Sequence, residues 1–242
     1  MKTKHLLLLT GLIFLAVSVH NLYQTAQASK FADISYRAVG AMFDENFRFF
    51  CSGFADKVLD NGYEFVTAGH CTQVEGAQYW VSFAGNQSGP YYKVDMQTVR
   101  HSMTDDVGVM EVIGNPTPTV PIVGLRDETR LANNQAIVGI SYPQGLGKLV
   151  YNGHYVRQNL LFRPPYMSDY LWNNVFPVDL TAAHGSSGSP VFDPAQRGVI
   201  GIVVGIIDEH IQVATPASAI RRLLAQPWSR KPWVPIVPDE DF

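Results

Sequence analysis

Hydrophobic and polar positions alternate along most of this chain in short runs, broken by clusters of Gly, Asn, Asp and Pro. Ser35–Phe43 alternates as a strand would, and Asp44-Glu45-Asn46 turns it. Phe47–Phe54 follows. Asp60-Asn61-Gly62 has the composition of a hairpin turn and leads into Tyr63–Ala68. Tyr79–Phe83, Tyr91–His101 and Val107–Ile113 complete a first set of six strands. The β-branched and aromatic content of these runs, with period 2 and not 3.6, predicts an all-β fold. No stretch before Pro216 reads as a long helix.

The apolar, proline-rich Pro116–Pro121 suits a crossing between two halves. A second set of six runs follows: Gln135–Tyr142, Lys148–Phe162, Tyr170–Leu180, Ser189–Phe192, Val199–Ile207 and His210–Ala214. Six and six predict two six-stranded antiparallel β-barrels, over about 31–120 and about 130–215, because closure removes exposed sheet edges. The helix is expected at 217–226, where Ile220, Leu223 and Leu224 share a face and Arg221 and Arg222 lie off it. Pro216 precedes it. Residues 227–242 form a Pro-rich tail ending in acids, read as extended or solvated.

Composition changes this picture at the N-terminus. Lys2 and Lys4, the apolar run Leu6 to Val19 and Ala26-Gln27-Ala28 before Ser29 have the layout of a signal peptide over residues 1–28. The rival reading is an uncleaved anchor; with cleavage, no stable membrane insertion is expected. The expected location is secreted or periplasmic. A formal net charge of −3 gives no basic face, so no nucleic-acid partner is expected. The seven histidines include no His-x-x-x-His pair, and there is no Cys-x-x-Cys, so no metal and no cofactor is expected.

Three short stretches carry candidate chemistry. In His184-Gly185-Ser186-Ser187-Gly188-Ser189-Pro190, a glycine two places before Ser187 lets backbone N–H groups converge, and one just after it leaves its side chain uncrowded. That pattern describes a nucleophile with its own oxyanion pocket, although Gly/Ser runs are also ordinary turns. Thr67-Ala68-Gly69-His70-Cys71 sets a histidine just past a strand end. Cys51, in the preceding strand, is the one possible intramolecular partner for Cys71. Export favours a bridge over two buried thiols. Asp106, directly before the apolar run Val107-Gly108-Val109-Met110, is the preferred acid to orient the histidine. Asp105 is its rival, and the alternative role for either is a turn or cap.

Together, Thr67–Cys71, Asp106–Val109 and Gly185–Pro190, in the order His, Asp, Ser, resemble the signatures of chymotrypsin-like serine proteases. Within that group the chain is most similar in character to bacterial glutamyl-endopeptidase and HtrA-like peptidase domains. The resemblance implies Ser187 as nucleophile, His70 as general base and later acid, Asp106 as its orienting partner, and the N–H groups of Gly185 and Ser187 as oxyanion hole. It implies a specificity pocket at Thr181, Ala182, Val203, Val204 and Gly205, with His184 either reaching substrate or lying on the rim.

Departures from the family pattern refine this. Where digestive proteases carry an acid that pairs with a newly cut N-terminus, this chain has Ser186. Thr181 stands at the pocket floor, so there is no acid for Lys or Arg. Val203 and Val204 stand where glutamyl endopeptidases place a histidine. The expectation is a serine endopeptidase acting on protein or peptide substrates with an apolar P1 preference. An inactive, peptide-binding homologue and an esterase using the same triad are the alternatives.

Overall fold

The register of strand pairing fixes where the chemistry lies, so the strands come first. The computed structural model describes residues 31–73, 77–85, 89–116, 119–156, 160–163, 171–181, 183–208 and 210–226. The signal peptide and the Pro-rich tail of the sequence reading lie outside these. Strands β1 (Val39–Phe43), β2 (Phe49–Leu59), β3 (Gly62–Ala68), β4 (Trp80–Ser82), β5 (Tyr92–Ser102) and β6 (Val107–Ile113) close into a barrel in the order β1-β2-β3-β6-β5-β4. Asp60 and Asn61 form the turn between β2 and β3, as their composition predicts.

One expected strand is partly helical. Residues 31–38 form a helix, α1, and only Val39–Phe43 is strand. The pattern decides it: Phe31, Ile34, Ser35 and Ala38 turn toward the protein at helical spacing, while Ala32, Asp33 and Arg37 are exposed. Phe31 stacks edge-on against Phe192, which anchors the helix to the second half of the chain.

That half contains β7 (Ala136–Ser141), β8 (Leu149–Tyr155), β9 (Leu160–Phe162), β10 (Trp172–Asp179), β11 (Pro190–Asp193), β12 (Gly198–Ile206) and β13 (Ile211–Pro216). Pairing of β10 with β13 closes six of them into a second antiparallel barrel. The expected single strand Lys148–Phe162 is two strands: β8 pairs with β7, and β9 pairs with the start of β10 outside the ring. Val178, Leu180, Val191, Ile200, Val203 and Ala214 fill this barrel from alternating positions. The chain enters it past Val120, whose N–H bonds the Tyr63 hydroxyl, and through a short parallel bridge of Leu125 to Val199.

Helix α2 (Ala217–Leu224) closes the described chain, with Ala219, Ile220 and Leu223 buried and Arg221 and Arg222 exposed. Arg100 Nη1 caps its end by donating to the carbonyls of Leu223 and Gln226. Arg222 pairs with Asp105 at 2.9 Å, and the Thr215 hydroxyl donates to the Asp105 carbonyl.

Lys148 ties the halves together without a counter-charge among the described residues. Its ammonium donates to the carbonyls of Tyr36 in α1 (2.7 Å) and Phe83 beyond β4 (3.1 Å), and lies over the rings of Tyr36 and Tyr142. Burial lowers its pKa from 10.5 to about 7.

Candidate active site

The β3–β6 ladder ends with Ala68 opposite Val107. The next residue at each end is therefore brought together: Gly69 and His70 leave β3 as a short 3-10 turn, and Asp106 precedes β6. Asp106 is fully buried with φ at 50°, a left-handed conformation that costs about 1–3 kcal/mol for a non-glycine residue. That conformation aims both carboxylate oxygens at one neighbour. Oδ1 accepts the His70 backbone N–H at 2.7 Å, and Oδ2 lies 2.7 Å from His70 Nδ1. The rival Asp105 turns instead to Ser102 and Arg222.

Burial disfavours the His70 imidazolium, but the charge and hydrogen bond of Asp106 outweigh it, so the His70 pKa is raised above 6.5. His101 lies on the neighbouring strand, with Nδ1 3.4 Å from the Thr72 hydroxyl, and burial lowers its pKa. Cys71, next to His70, is disulfide-bonded to Cys51 in β2, which fastens the histidine's turn to the barrel wall. The sulfurs are bonded to each other, so the group Cys51, His70 and Cys71 offers a metal no thiolate.

Ser187 lies on a turn from the second barrel that docks against the first. Its carbonyl accepts the Ser52 N–H of β2 at 2.8 Å, and the Gly188 N–H donates to Val203 of β12 at 2.7 Å. Both glycines of the turn have positive φ, 92° at Gly185 and 82° at Gly188. A Cβ at Gly188 would come within 2.2 Å of the Ser52 carbonyl oxygen, so close docking needs glycine here.

Hydrogen bonding along the turn alternates. The N–H groups of Ser186, Gly188 and Ser189 all donate to carbonyls, whereas those of Gly185 and Ser187 have no acceptor among the described residues. The peptide carrying each free N–H is held by its other end. The His184 carbonyl accepts from Gln144 N–H at 2.6 Å, and the Ser186 carbonyl from Ser189 N–H at 3.0 Å. The Gly185 carbonyl accepts from the Ser52 hydroxyl at 2.8 Å. Two free N–H groups two residues apart, each on a tethered peptide, can receive a developing negative oxygen.

The expected pocket residues divide. Thr181 and Val203 border a narrow cleft that also includes Ile140, Tyr151, Leu180 and Gln212. Val204 is buried in the large core cluster instead, and Gly205 faces Trp172 and Phe162. His184 is exposed and bonds through its carbonyl. Ala182 lies outside the described residues. The Ser186 side chain turns inward to Ser141 at 3.2 Å. Three residues that the sequence did not single out matter here. Ser52 is one polar position in the expected strand Phe47–Phe54, and Gln144 falls between the expected strands Gln135–Tyr142 and Lys148–Phe162. Gln212 is fully buried on the cleft wall, and its amide has no partner among the described residues.

A family model described as a trypsin-like peptidase domain matches residues 51–202. Among solved structures, the chain is similar to the Rv3671c protease of M. tuberculosis in its active form, at 17% identity and a TM-score of 0.63, over 84% of this chain and 86% of that one. The inactive form of that protease aligns at 18% identity and a TM-score of 0.60, over 81% and 91%. An HtrA-type protease, AlgW with a decapeptide, aligns at 16% identity and a TM-score of 0.63, over 81% and 66%. At these identities the likeness is one of fold. No curated protein matches the chain in sequence.

Proposed function

Because the chain belongs to the trypsin-like peptidase family, we propose that it is a serine endopeptidase in which His70, Asp106 and Ser187 act as one triad. Asp106 holds His70 with Nδ1 protonated, which leaves Nε2 as the base for the Ser187 hydroxyl. Ser187 Oγ attacks the substrate carbonyl carbon as its proton passes to His70. The carbonyl oxygen becomes the oxyanion and takes the N–H groups of Gly185 and Ser187. His70 then returns the proton to the leaving amine, and an acyl-Ser187 ester remains. Water, deprotonated by His70, attacks that ester; the bond to Ser187 Oγ breaks as His70 hands the proton back to that oxygen, and the acid product is freed. The observation that carries this reading is the alternation from Gly185 to Ser189, where the two N–H groups required for the oxyanion are the ones that lack an acceptor among the described residues.

The peptidase occupies residues 29–226 in this reading, after an export signal over 1–28 that is cleaved. The disulfide supports an oxidising compartment, outside the cell or in the periplasm. No helix among the described residues is long and apolar enough to cross a membrane. The P1 side chain is small to medium and uncharged, with an apolar preference. Ile140, Leu180 and Val203 line the cleft with apolar surface, and none of its lining residues carries an opposite charge, so a charged side chain would lose water there and meet only neutral polar groups such as those of Thr181 and Gln212.

A fluorophosphonate probe and a peptide library test this together. The expected result is an adduct on Ser187, cleavage after Ala, Val or Leu, and loss of both in Ser187→Ala. The fall in kcat is on the order of 10⁴-fold or more. No adduct in folded protein would make the chain a binding protein, ester turnover without peptide turnover an esterase, and dominant cleavage after Glu, Lys or Arg would overturn the P1 assignment.

A further inference from the structure

A glycine is the residue at which a peptide plane rotates most freely, since no Cβ restricts φ and ψ. An oxyanion donor carried by Gly185 therefore needs its flanking peptides held from outside. The preceding peptide is held through the His184 carbonyl by the Gln144 N–H. The following peptide is held through the Gly185 carbonyl by the Ser52 hydroxyl. Of these two clamps only Ser52 uses a side chain. It also comes from the opposite barrel, 133 residues away in sequence.

Ser52 uses every polar atom it has. It is fully buried. Its hydroxyl donates to Gly185 at 2.8 Å and accepts the Tyr142 N–H at 3.2 Å. Its own N–H donates to the Ser187 carbonyl, and its carbonyl accepts the Thr67 hydroxyl at 2.7 Å. The Tyr142 contact matters because Tyr142 leads into Pro143–Gly145, the turn whose Gln144 N–H is the other clamp. One hydroxyl thus holds the Gly185 carbonyl directly and the start of the second clamp's turn.

We propose that Ser52 is the positioning residue of the oxyanion hole, setting the direction of the Gly185 N–H from the first barrel. This rests on the triad reading above. Ser52 touches neither substrate nor the reacting atoms in this role; it acts through Gly185.

The experiment compares wild type, Ser52→Ala and Thr67→Val on one peptide substrate and one peptide aldehyde, with kcat, KM and the aldehyde inhibition constant measured across pH. Thr67→Val is the control. It removes one buried hydrogen bond to the same residue, at nearly constant shape, and leaves the Gly185 carbonyl held. Losing a whole oxyanion donor costs about 10²–10³ in kcat, so misdirecting one is expected to cost Ser52→Ala about ten- to hundredfold. KM should stay within about twofold, since substrate is bound elsewhere. The aldehyde, whose adduct places an oxygen in the hole, should weaken by the same factor as kcat/KM. The pH midpoint should not move, because the Asp106–His70 contacts are intact. Thr67→Val should keep wild-type kcat.

An unchanged kcat in Ser52→Ala, an equal loss in Thr67→Val, or a loss confined to KM would each overturn the proposal. If Ser52→Ala does not fold, Ser52→Cys keeps the bulk with a weaker donor and is read against the same criteria. Wild type that neither turns over peptide nor reacts with a fluorophosphonate would overturn the triad reading first, and this inference with it.

Discussion

Replacing Lys148 with Met removes a buried ammonium while keeping an unbranched chain of similar length. The pKa of Lys148 is about 7 in the folded protein against 10.5 for the free side chain. The folded state therefore binds fewer protons than the unfolded chain between those values. Stability must rise as pH rises through this window, and the cost of charging Lys148 is fully present below about pH 7. At about 1.4 kcal/mol for each pH unit of mismatch, wild type should gain about 3 kcal/mol between pH 6 and pH 9 from this group alone. The carbonyls of Tyr36 and Phe83 and the faces of two aromatic rings favour the ammonium, so they offset part of that gain. His70 titrates nearby with the opposite sign. Its raised pKa contributes stability that is present below its unfolded value and lost as pH rises through the folded one. The comparison of wild type with Lys148→Met cancels that contribution. Urea unfolding of both, in a Ser187→Ala background that prevents self-cleavage, gives the difference curve. The advantage of Lys148→Met should change little below about pH 7 and narrow steadily from there to pH 9. Parallel curves, or a wild type that loses ground to the variant as pH rises, would refute the argument.

The chemistry of His70 should show in the pH profile of kcat/KM, which is expected to rise to a plateau with a midpoint above 6.5, since the base must be neutral and Asp106 favours its charged form. Asp106→Asn should lower kcat and also lower that midpoint; an unmoved midpoint would mean that the carboxylate does not act on the ring. Joint replacement of Cys51 and Cys71 by alanine opens a closure of 20 residues and should cost about 3 kcal/mol in denaturant unfolding, with no free thiol detected in the unmodified protein. Two alkylated cysteines in the native protein would count against the bridge.

Strand positions were legible in stretches such as Tyr63–Ala68 and Val107–Ile113, where short runs rich in β-branched, aromatic and apolar residues, almost wholly buried, are bounded by turn residues. The start of the expected strand Ser35–Phe43 is helical as far as Ala38, and the helix over 31–38 was not foreseen. Ser35 and Ala38 are small and carry little hydrophobic signal, so the helical face of Phe31 and Ile34 was hidden behind a short apparent alternation. The break between β8 and β9 was masked by apolar residues on both sides. At the site, His70, Asp106 and Ser187 stood out because each sits beside a turn or strand end with distinctive neighbours. Ser52 and Gln144 carried no such local mark: one acts through a contact 133 residues away, the other through a backbone N–H that any residue would supply. Gln212 lies in a strand that reads as ordinary, and only its burial without a partner among the described residues distinguishes it.

Asp105, the neighbour of the buried carboxylate, is gripped by the far end of the chain. The Thr215 hydroxyl holds its carbonyl and Arg222 its side chain, while β13 closes the second barrel. Of the three chemical groups, the histidine and the acid belong to the earlier half of the polypeptide, yet the loop that carries the acid is braced by residues synthesised more than a hundred positions later. During synthesis the loop that carries the aspartate emerges before the serine turn and before the residues that brace it. On the proposed triad, the bracing of the acid's loop is complete only once α2 has been made and packed.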